Sequence, residues 1–393
     1  MRIRWLVIPL LLLLTMEVRA QSHDAPARPR ARVLGVPFDG TPGPLNAITD
    51  VPNVEVGNTT LISGNGAPGS IDKAVRTGVT VVLPRGKQNA DPVYAGWFSL
   101  NGNGEMTGTA WVDESGFLEG PVAITNTHSV GVVRDSIIEW GLRRKPSTRL
   151  WSLPVVAETY DGWLNDIDGF HVKPADLFHA LDEARTGPVP EGNVGGGTGM
   201  VCYGFKGGIG TASRVVSGGT SGYAVGVLVQ CNCGRRPQLS IAGVPVGREI
   251  PQSVPYAEAG PQPPGSAEQG DVGSIIIVVA TDAPLLPHQL KRLARRATLG
   301  LARTGSSSGN SSGDIFLAFS TANHHADRAP GPNSVLTVSN EEISPLFTAT
   351  VEATEEAIVN AMVGATTMTG RDGHTVIELP HERLIEVLKK FGR

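Results

Sequence analysis

Hydrophobic positions along the chain form two kinds of run. Short β-branched runs at Val79 to Leu83, Gly120 to Thr125 and Ala224 to Gln230, separated by Gly, Asn and Asp turns, predict strands. Val130 to Arg143 and Pro174 to Arg185 predict helices between them, with Pro174 at a first helical position where its missing N–H costs nothing. Residues 274–281, SIIIVVAT, are apolar on both faces, the pattern of a central strand covered from either side. Beyond it the pattern predicts a helix from Pro287 to Arg303 stopped at Gly305, and a strand from Ile315 to Ser320. A long helix follows, with Phe347, Val351, Ile358 and Met362 on one buried stripe, then a strand from Thr375 to Leu379 and a helix from Pro380 to Phe391. Three strands and three helices cannot cover strand 274–281, so its neighbours must come from the earlier part. One layered α/β sandwich, built jointly by both parts, is expected.

Composition fits that class. The 393 residues are 40% hydrophobic and 18% charged, enough for a sizeable core, and 49 Gly with 29 Pro against 5% aromatics favour short strands and tight turns over a helical bundle. Residues 1–20, MRIRWLVIPLLLLLTMEVRA, combine arginines, an apolar run from Trp5 to Leu14 and a small residue before Gln21, a secretory signal pattern with no membrane anchor, because the apolar run is shorter than the roughly 20 residues a span needs. An exported protein, secreted or periplasmic, is expected. Residues 21–32 read as a flexible lead-in and 33–393 as a single domain. Residues 251–273, with five prolines and almost no large aliphatics, read as an exposed loop. The cluster Lys291, Arg292, Arg295 and Arg296 reads as a solvated helix face, and no nucleic-acid partner is indicated. Of the three cysteines, Cys231 and Cys233 are too close in sequence to bridge each other, so at most one disulfide, involving Cys202, is expected. No zinc pattern accompanies them, and His128, His171, His288, His324 and His325 are scattered, so neither a metal nor a cofactor is required.

The candidate chemistry centres on Gly273-Ser274. A chain cut there presents, on Ser274, a hydroxyl and a free α-amine of pKa about 7.7–8.0, a nucleophile carrying its own base. Gly273 lacks a Cβ and tolerates the backbone geometry that brings the Ser274 hydroxyl to its carbonyl; an N-to-O acyl shift and hydrolysis then split the chain. Ser312 and Asp314, two apart at the start of a strand, are expected to face one way, toward Ser274. The strand in VGVLVQCNCGRR delivers Asn232, whose amide can donate to an oxyanion. VVAETYDGWLND puts Glu158, Tyr160 and Asp161 after a strand; Tyr160 suits a tetrahedral intermediate and Glu158 a substrate ammonium. The glycine-rich stretch 192–210 lacks a GK[ST] ending, so tight turns beside a cleft fit it better than nucleotide binding.

Together these motifs, GPLNAITDVPNVEVGN, THSVG, AETYDGWLND, GNVGGGTGM, VLVQCNCGRR, GSIIIVVATDAPL and SSGDIFLAFSTAN, span nearly all of the chain after residue 20. In this set and order the sequence resembles the DmpA-type aminopeptidases, the L-aminopeptidase/D-Ala-esterase/amidase family with its β-peptidyl aminopeptidase group. The resemblance implies a four-layer αββα sandwich related to ornithine acetyltransferases. It also implies a precursor that cuts itself at Gly273-Ser274 into two associated chains, 21–273 and 274–393, with several such pairs assembling. Ser274 would be the nucleophile, Asn232 and Tyr160 the oxyanion partners, Ser312 and Asp314 its support, and Glu158 part of the substrate site. Asp314 stands where some relatives carry Glu, so its reach is one methylene shorter. The expected activity is hydrolysis of N-terminal residues from short peptides, amides or esters. An acetyltransferase or oligoamide hydrolase of the same fold would use threonine, and a non-catalytic exported binding protein would leave the chain uncut.

Overall fold

The computed structural model describes residues 28–144, 151–217, 222–255, 273–327 and 331–393. The expected signal segment and most of the 251–273 loop lie outside them. In chain order come β1 (Glu55–Ser63), β2 (Val75–Leu83), β3 (Val93–Ser99), α1 (Thr109–Ser115), β4 (Phe117–Leu118), β5 (Val122–Asn126), α2 (Val130–Arg144), β6 (Val155–Thr159) and α3 (Pro174–Glu183). They are followed by β7 (Val201–Cys202), β8 (Phe205–Lys206), β9 (Gly208–Val216), β10 (Tyr223–Asn232) and α4 (Val246–Glu249). After the loop come β11 (Ser274–Thr281), α5 (Pro287–Arg303), β12 (Ile315–Ser320), α6 (Ser344–Val363), β13 (Met368–Thr369), β14 (Thr375–Val376) and α7 (His381–Lys390).

Two sheets carry the fold, one ordered β1-β2-β5-β6 and the other β4-β3-β12-β11-β10-β9. Strand alternation sorts their side chains into three apolar layers. On the outside of the first sheet, Val79, Val81 and Leu83 meet Val133 and Ile137 of α2 and Leu177 and Leu181 of α3. Between the sheets, Ile276, Val278 and Ala280 meet Val122, Ile124, Val155 and Ala157. On the outside of the second, Ile275, Ile277 and Val279 pack with Leu290 and Leu293 of α5 and Ile358 and Met362 of α6. The order is helices, sheet, sheet, helices, the expected four-layer αββα sandwich. Each fully buried aliphatic side chain contributes roughly 1.5–3 kcal/mol, so β11, buried along its whole length, is a firmly held strand. Ser274 is its first residue.

The structure departs from the sequence expectations in several places. Helix α6 is not buried along one stripe: from Ala357 to Val363 every side chain is buried, because the helix lies against β9 and β10 on one side and α5 on another. Thr375 to Leu379 do not form a full strand. Only Thr375 and Val376 pair, with β13, and the Ile377 carbonyl instead accepts the Lys206 N–H at 2.7 Å. The basic face of α5 is used for packing as well as solvation: Arg292 and Arg296 lie over the Phe347 ring, and Arg295 over Phe98. The end of the expected lead-in belongs to the folded unit, since Arg28, Arg30 and Arg32 pair with Glu378, Glu191 and Glu356 while Ala31 is fully buried. These acidic partners lie 161 to 350 residues away, which is why a polar stretch read locally looks free.

One disulfide joins Cys202 of β7 to Cys231 of β10, and Cys233 is buried outside it. The bond closes a loop of 29 residues, and such cross-links stabilise by about 2–4 kcal/mol, chiefly by restricting the unfolded chain. Cys202→Ala should therefore lower the melting temperature, measured by calorimetry, by several degrees or more; an unchanged melt would show that the cross-link does not hold the fold.

Candidate active site

Strand β10 ends and β11 begins at one point. Their antiparallel register sets Asn232 opposite Ser274, both buried. The Ser274 hydroxyl oxygen accepts the backbone N–H of Gly313 at 3.1 Å. Gly273, just before it, has φ +123°, in the region that favours glycine, and a Cβ there would overlap the Asn232 carbonyl oxygen and lie 3.4 Å from Asn232 Nδ2. The side-chain amide of Asn232 thus sits beside the residue whose carbonyl would be cut. It is held at both ends: Oδ1 accepts the Val201 N–H at 2.7 Å and Nδ2 donates to the Tyr160 carbonyl at 2.9 Å.

The loop before β12 brings up Ser312, Gly313 and Asp314. Ser312 Oγ donates to Asp314 Oδ1 at 2.6 Å, so hydroxyl and carboxylate face each other, and the main-chain N–H of Gly313 between them donates to Ser274. Residues 312–314 precede the strand and do not follow its two-residue alternation. Their loop is clamped by the Asn-Gly turn after β3. Asn101 Oδ1 accepts the Asp314 N–H at 2.6 Å, and the Asn103 N–H donates to the Ser312 carbonyl at 3.1 Å. Gly104 and Gly313 touch backbone to backbone, a Cβ on Gly104 falling 2.9 Å from the Gly313 Cα and 3.4 Å from Glu158 Oε1.

Glu158 therefore lies near the Ser274 cluster, although it sits inside β6 and not after a strand as the sequence suggested. Its carboxylate accepts the Glu105 N–H at 3.1 Å and the Thr127 hydroxyl. Burial pushes its pKa up from the ordinary carboxyl range, and those two donors partly offset the rise. Tyr160 is half exposed, with its phenol over Gly162; its contact with Asn232 runs through the main-chain carbonyl. Sequence reasoning missed Asn101, Gly104, Thr127, Val201 and Gly313. Most act through backbone groups or tight approach, and their sequence traces were the NGNGE turn at 101–105 and the motifs THSVG and SSGDIF that contain Thr127 and Gly313. The grouping of metal-ligand type found among the described residues is Cys202, Cys231 and Cys233, two of whose sulfurs are joined to each other. His128, His171 and His325 pair instead with Asp168, Asp166 and Asp91.

Comparison with known proteins fits this geometry. A model described as peptidase family S58 matches residues 46–376. The chain belongs to peptidase family S58. Two relatives, both beta-peptidyl aminopeptidase BapA, extend the match. The one from Sphingosinicella microcystinivorans is 56% identical over 369 residues, 93% of each chain, and the one from Sphingosinicella xenopeptidilytica is 50% identical over 397 residues, 98% of this chain and 97% of that one. Among solved structures, the L-aminopeptidase D-Ala-esterase/amidase of Ochrobactrum anthropi, described as a prototype for the serine aminopeptidases and a new variant among the Ntn hydrolase fold, superposes with a TM-score of 0.84 at 49% identity. It covers 93% of this chain and 99% of its own. A Burkholderia sp. beta-aminopeptidase gives a TM-score of 0.81 at 48% identity over the same shares. This S58 chain is accordingly an aminopeptidase with the Ntn-hydrolase fold.

Proposed function

We propose that this aminopeptidase is made as an exported precursor, cuts itself between Gly273 and Ser274, and then removes N-terminal residues from short peptides, amino-acid amides or esters through an acyl-enzyme on Ser274. The observation that carries the reading is the junction of β10 and β11, where a buried serine hydroxyl, a glycine at positive φ and the Asn232 amide meet. In the precursor, Ser274 Oγ attacks the Gly273 carbonyl carbon, the C–N bond breaks as the C–O bond forms, and water hydrolyses the ester. The products are a Gly273 carboxylate and a free Ser274 α-amine. In turnover that amine takes the hydroxyl proton while Oγ attacks the carbonyl of the substrate's first residue. The proton passes to the leaving amine, and water releases the acyl group. Asn232 Nδ2 donates to the oxygen that becomes charged, Tyr160 lines the same side, and Ser312 with Asp314 holds the loop that presents Gly313 to the nucleophile.

Relatives named beta-peptidyl aminopeptidases make peptides with an N-terminal β-residue the first substrates to assay. The test is a denaturing gel with N-terminal sequencing, run beside hydrolysis of β-alanyl and L-alanyl amides. Two fragments, one starting at Ser274, and release of the amine are expected; an intact, inactive chain after prolonged incubation would overturn the reading and favour a binding protein.

Glu158 is the group that meets the substrate ammonium in this scheme. Glu158→Gln should raise KM for free-amine substrates about tenfold or more while narrowing the preference over N-acetylated analogues, since a charge-assisted bond contributes roughly 1.5–3 kcal/mol. Because its pKa is raised, the charged form and the preference should fade on acidification at a pH above the ordinary carboxyl range. A KM ratio between the two substrate types that is unchanged by the substitution would remove Glu158 from this role.

A further inference from the structure

Behind Asn232 lie two buried ionisable side chains, Lys206 and Asp161, that the scheme above does not use. Lys206 of β8 is fully buried, and its Nζ donates to the carbonyls of Met200 at 2.7 Å, Gly207 at 2.9 Å and Gly197 at 3.4 Å. Three acceptors for three N–H groups suit an ammonium. Asp161 is also fully buried; its Oδ1 accepts from Asn165 Nδ2 at 3.0 Å, and Thr77, Asn165, Asn126 and its own backbone N–H partly offset the burial penalty on its carboxylate. Its Cβ sits 2.9 Å from where a Cβ on Gly199 would stand, so the Asp161 and Met200 segments meet. Burial pushes Lys206 down to about 7, opposed by the charge of Asp161, and pushes Asp161 up to about 7.

The connection to Asn232 runs through shared peptide groups. The Met200 carbonyl that accepts from Lys206 and the Val201 N–H that donates to Asn232 Oδ1 belong to one amide. The Tyr160 carbonyl that accepts from Asn232 Nδ2 and the N–H against the Asp161 carboxylate belong to another. An ammonium on the first carbonyl withdraws density from its N–H, which withdraws density from the Asn232 carbonyl and leaves the Nδ2 hydrogens more positive. The carboxylate at the far end makes the Tyr160 oxygen a stronger acceptor, which fixes one Nδ2 hydrogen and so orients the amide; it does not add to the polarisation of the other hydrogen. Chains of hydrogen bonds through amides strengthen one another in this way, most of all in a low-dielectric interior.

We propose that Lys206 and Asp161 are positioning residues for the oxyanion amide: cation, peptide, Asn232, peptide and anion form one relay that orients Nδ2 toward the Gly273 side and sharpens it as a donor. The relay rests on the reading of Asn232 given above. The test is a double-mutant cycle on kcat and KM of the cut protein, with Lys206→Gln and Asn232→Ala alone and together. Asn232→Ala should lower kcat about 10²–10³-fold, the usual cost of an oxyanion donor. Lys206→Gln should lower kcat about tenfold with KM within about twofold, and change kcat by less than about twofold once Asn232 is Ala.

Equal losses in both backgrounds, or a loss carried by KM, would overturn the relay and leave the site reading standing. An unchanged kcat for Asn232→Ala would instead overturn the site reading. Asp161→Asn, which keeps the side-chain shape while removing the charge, runs through the same cycle should Lys206→Gln yield no folded protein.

Discussion

Ser274→Ala is expected to give a single uncut polypeptide with no measurable turnover. The substitution removes the oxygen that attacks Gly273 in the precursor and the substrate afterwards, so both reactions stop together. Loss of a hydrolase nucleophile costs about 10⁶-fold in kcat, far beyond what misfolding of a fraction of the protein would mimic. The fold itself should survive. Among the described residues the bond lost is the one from the Gly313 N–H, and an orphaned buried donor costs about 1–3 kcal/mol against the apolar layers on both faces of β11. Gel analysis, N-terminal sequencing and a circular-dichroism melt check the three parts separately. Continued cutting would place the scissile bond elsewhere, and turnover within tenfold of the parent would require a different nucleophile.

Gly273→Ala is expected to separate the two reactions. Its positive φ is strained for alanine, and the new Cβ meets the main-chain oxygen of Asn232, which cannot swing aside as a side chain can. Residue 273 must move, carrying its carbonyl away from the serine hydroxyl, and a displacement near 1 Å costs about 10²-fold in rate. Self-cleavage should slow by at least that factor. Once the bond is cut, however, residue 273 is a free chain end and the strain is gone. Protein that has been cut should hydrolyse substrates with a near-parental kcat. A time course of fragment appearance, followed by kinetics on the purified cut form, tests both halves; equal damage to the two rates would mean that Gly273 shapes the mature site as well.

The layered architecture was legible where the burial pattern was strict. Ile275 to Val279 are apolar on both faces, which requires cover on both sides, and the structure supplies it with the other sheet and with α5 and α6. The ends of α5 and β12 were readable from Pro287, Gly305 and the run from Ile315 to Ser320 for the same local reasons. The 375–379 segment misled because an apolar alternation does not reveal whether a neighbouring strand exists to pair with it. The site was legible at Gly273, Ser274 and Asn232, whose residue types carry the chemistry. It was not legible at Gly313, which contributes a backbone N–H that any residue would possess, or at Lys206, whose charge among glycines gave no sign of burial. Asp314, expected to support the serine, has its Oδ1 bonded to the Ser312 hydroxyl.

The order of the second sheet has a consequence for how the enzyme ends its life. Strands β11 and β12, which follow the proposed cut, lie inside the sheet, with β3 on one flank and β10 on the other, both from the part before it. Pulling the fragments apart breaks two ladders and opens the core, so dissociation and unfolding are one event. Before the proposed cleavage, refolding is a first-order search by one continuous chain, in which covalent linkage raises the effective concentration of each part for the other. Afterwards the link is gone, and recovery from denaturation becomes a second-order encounter whose midpoint depends on protein concentration. The proposed cleavage would thus exchange a renewable fold for an active one, and each molecule would assemble easily only once.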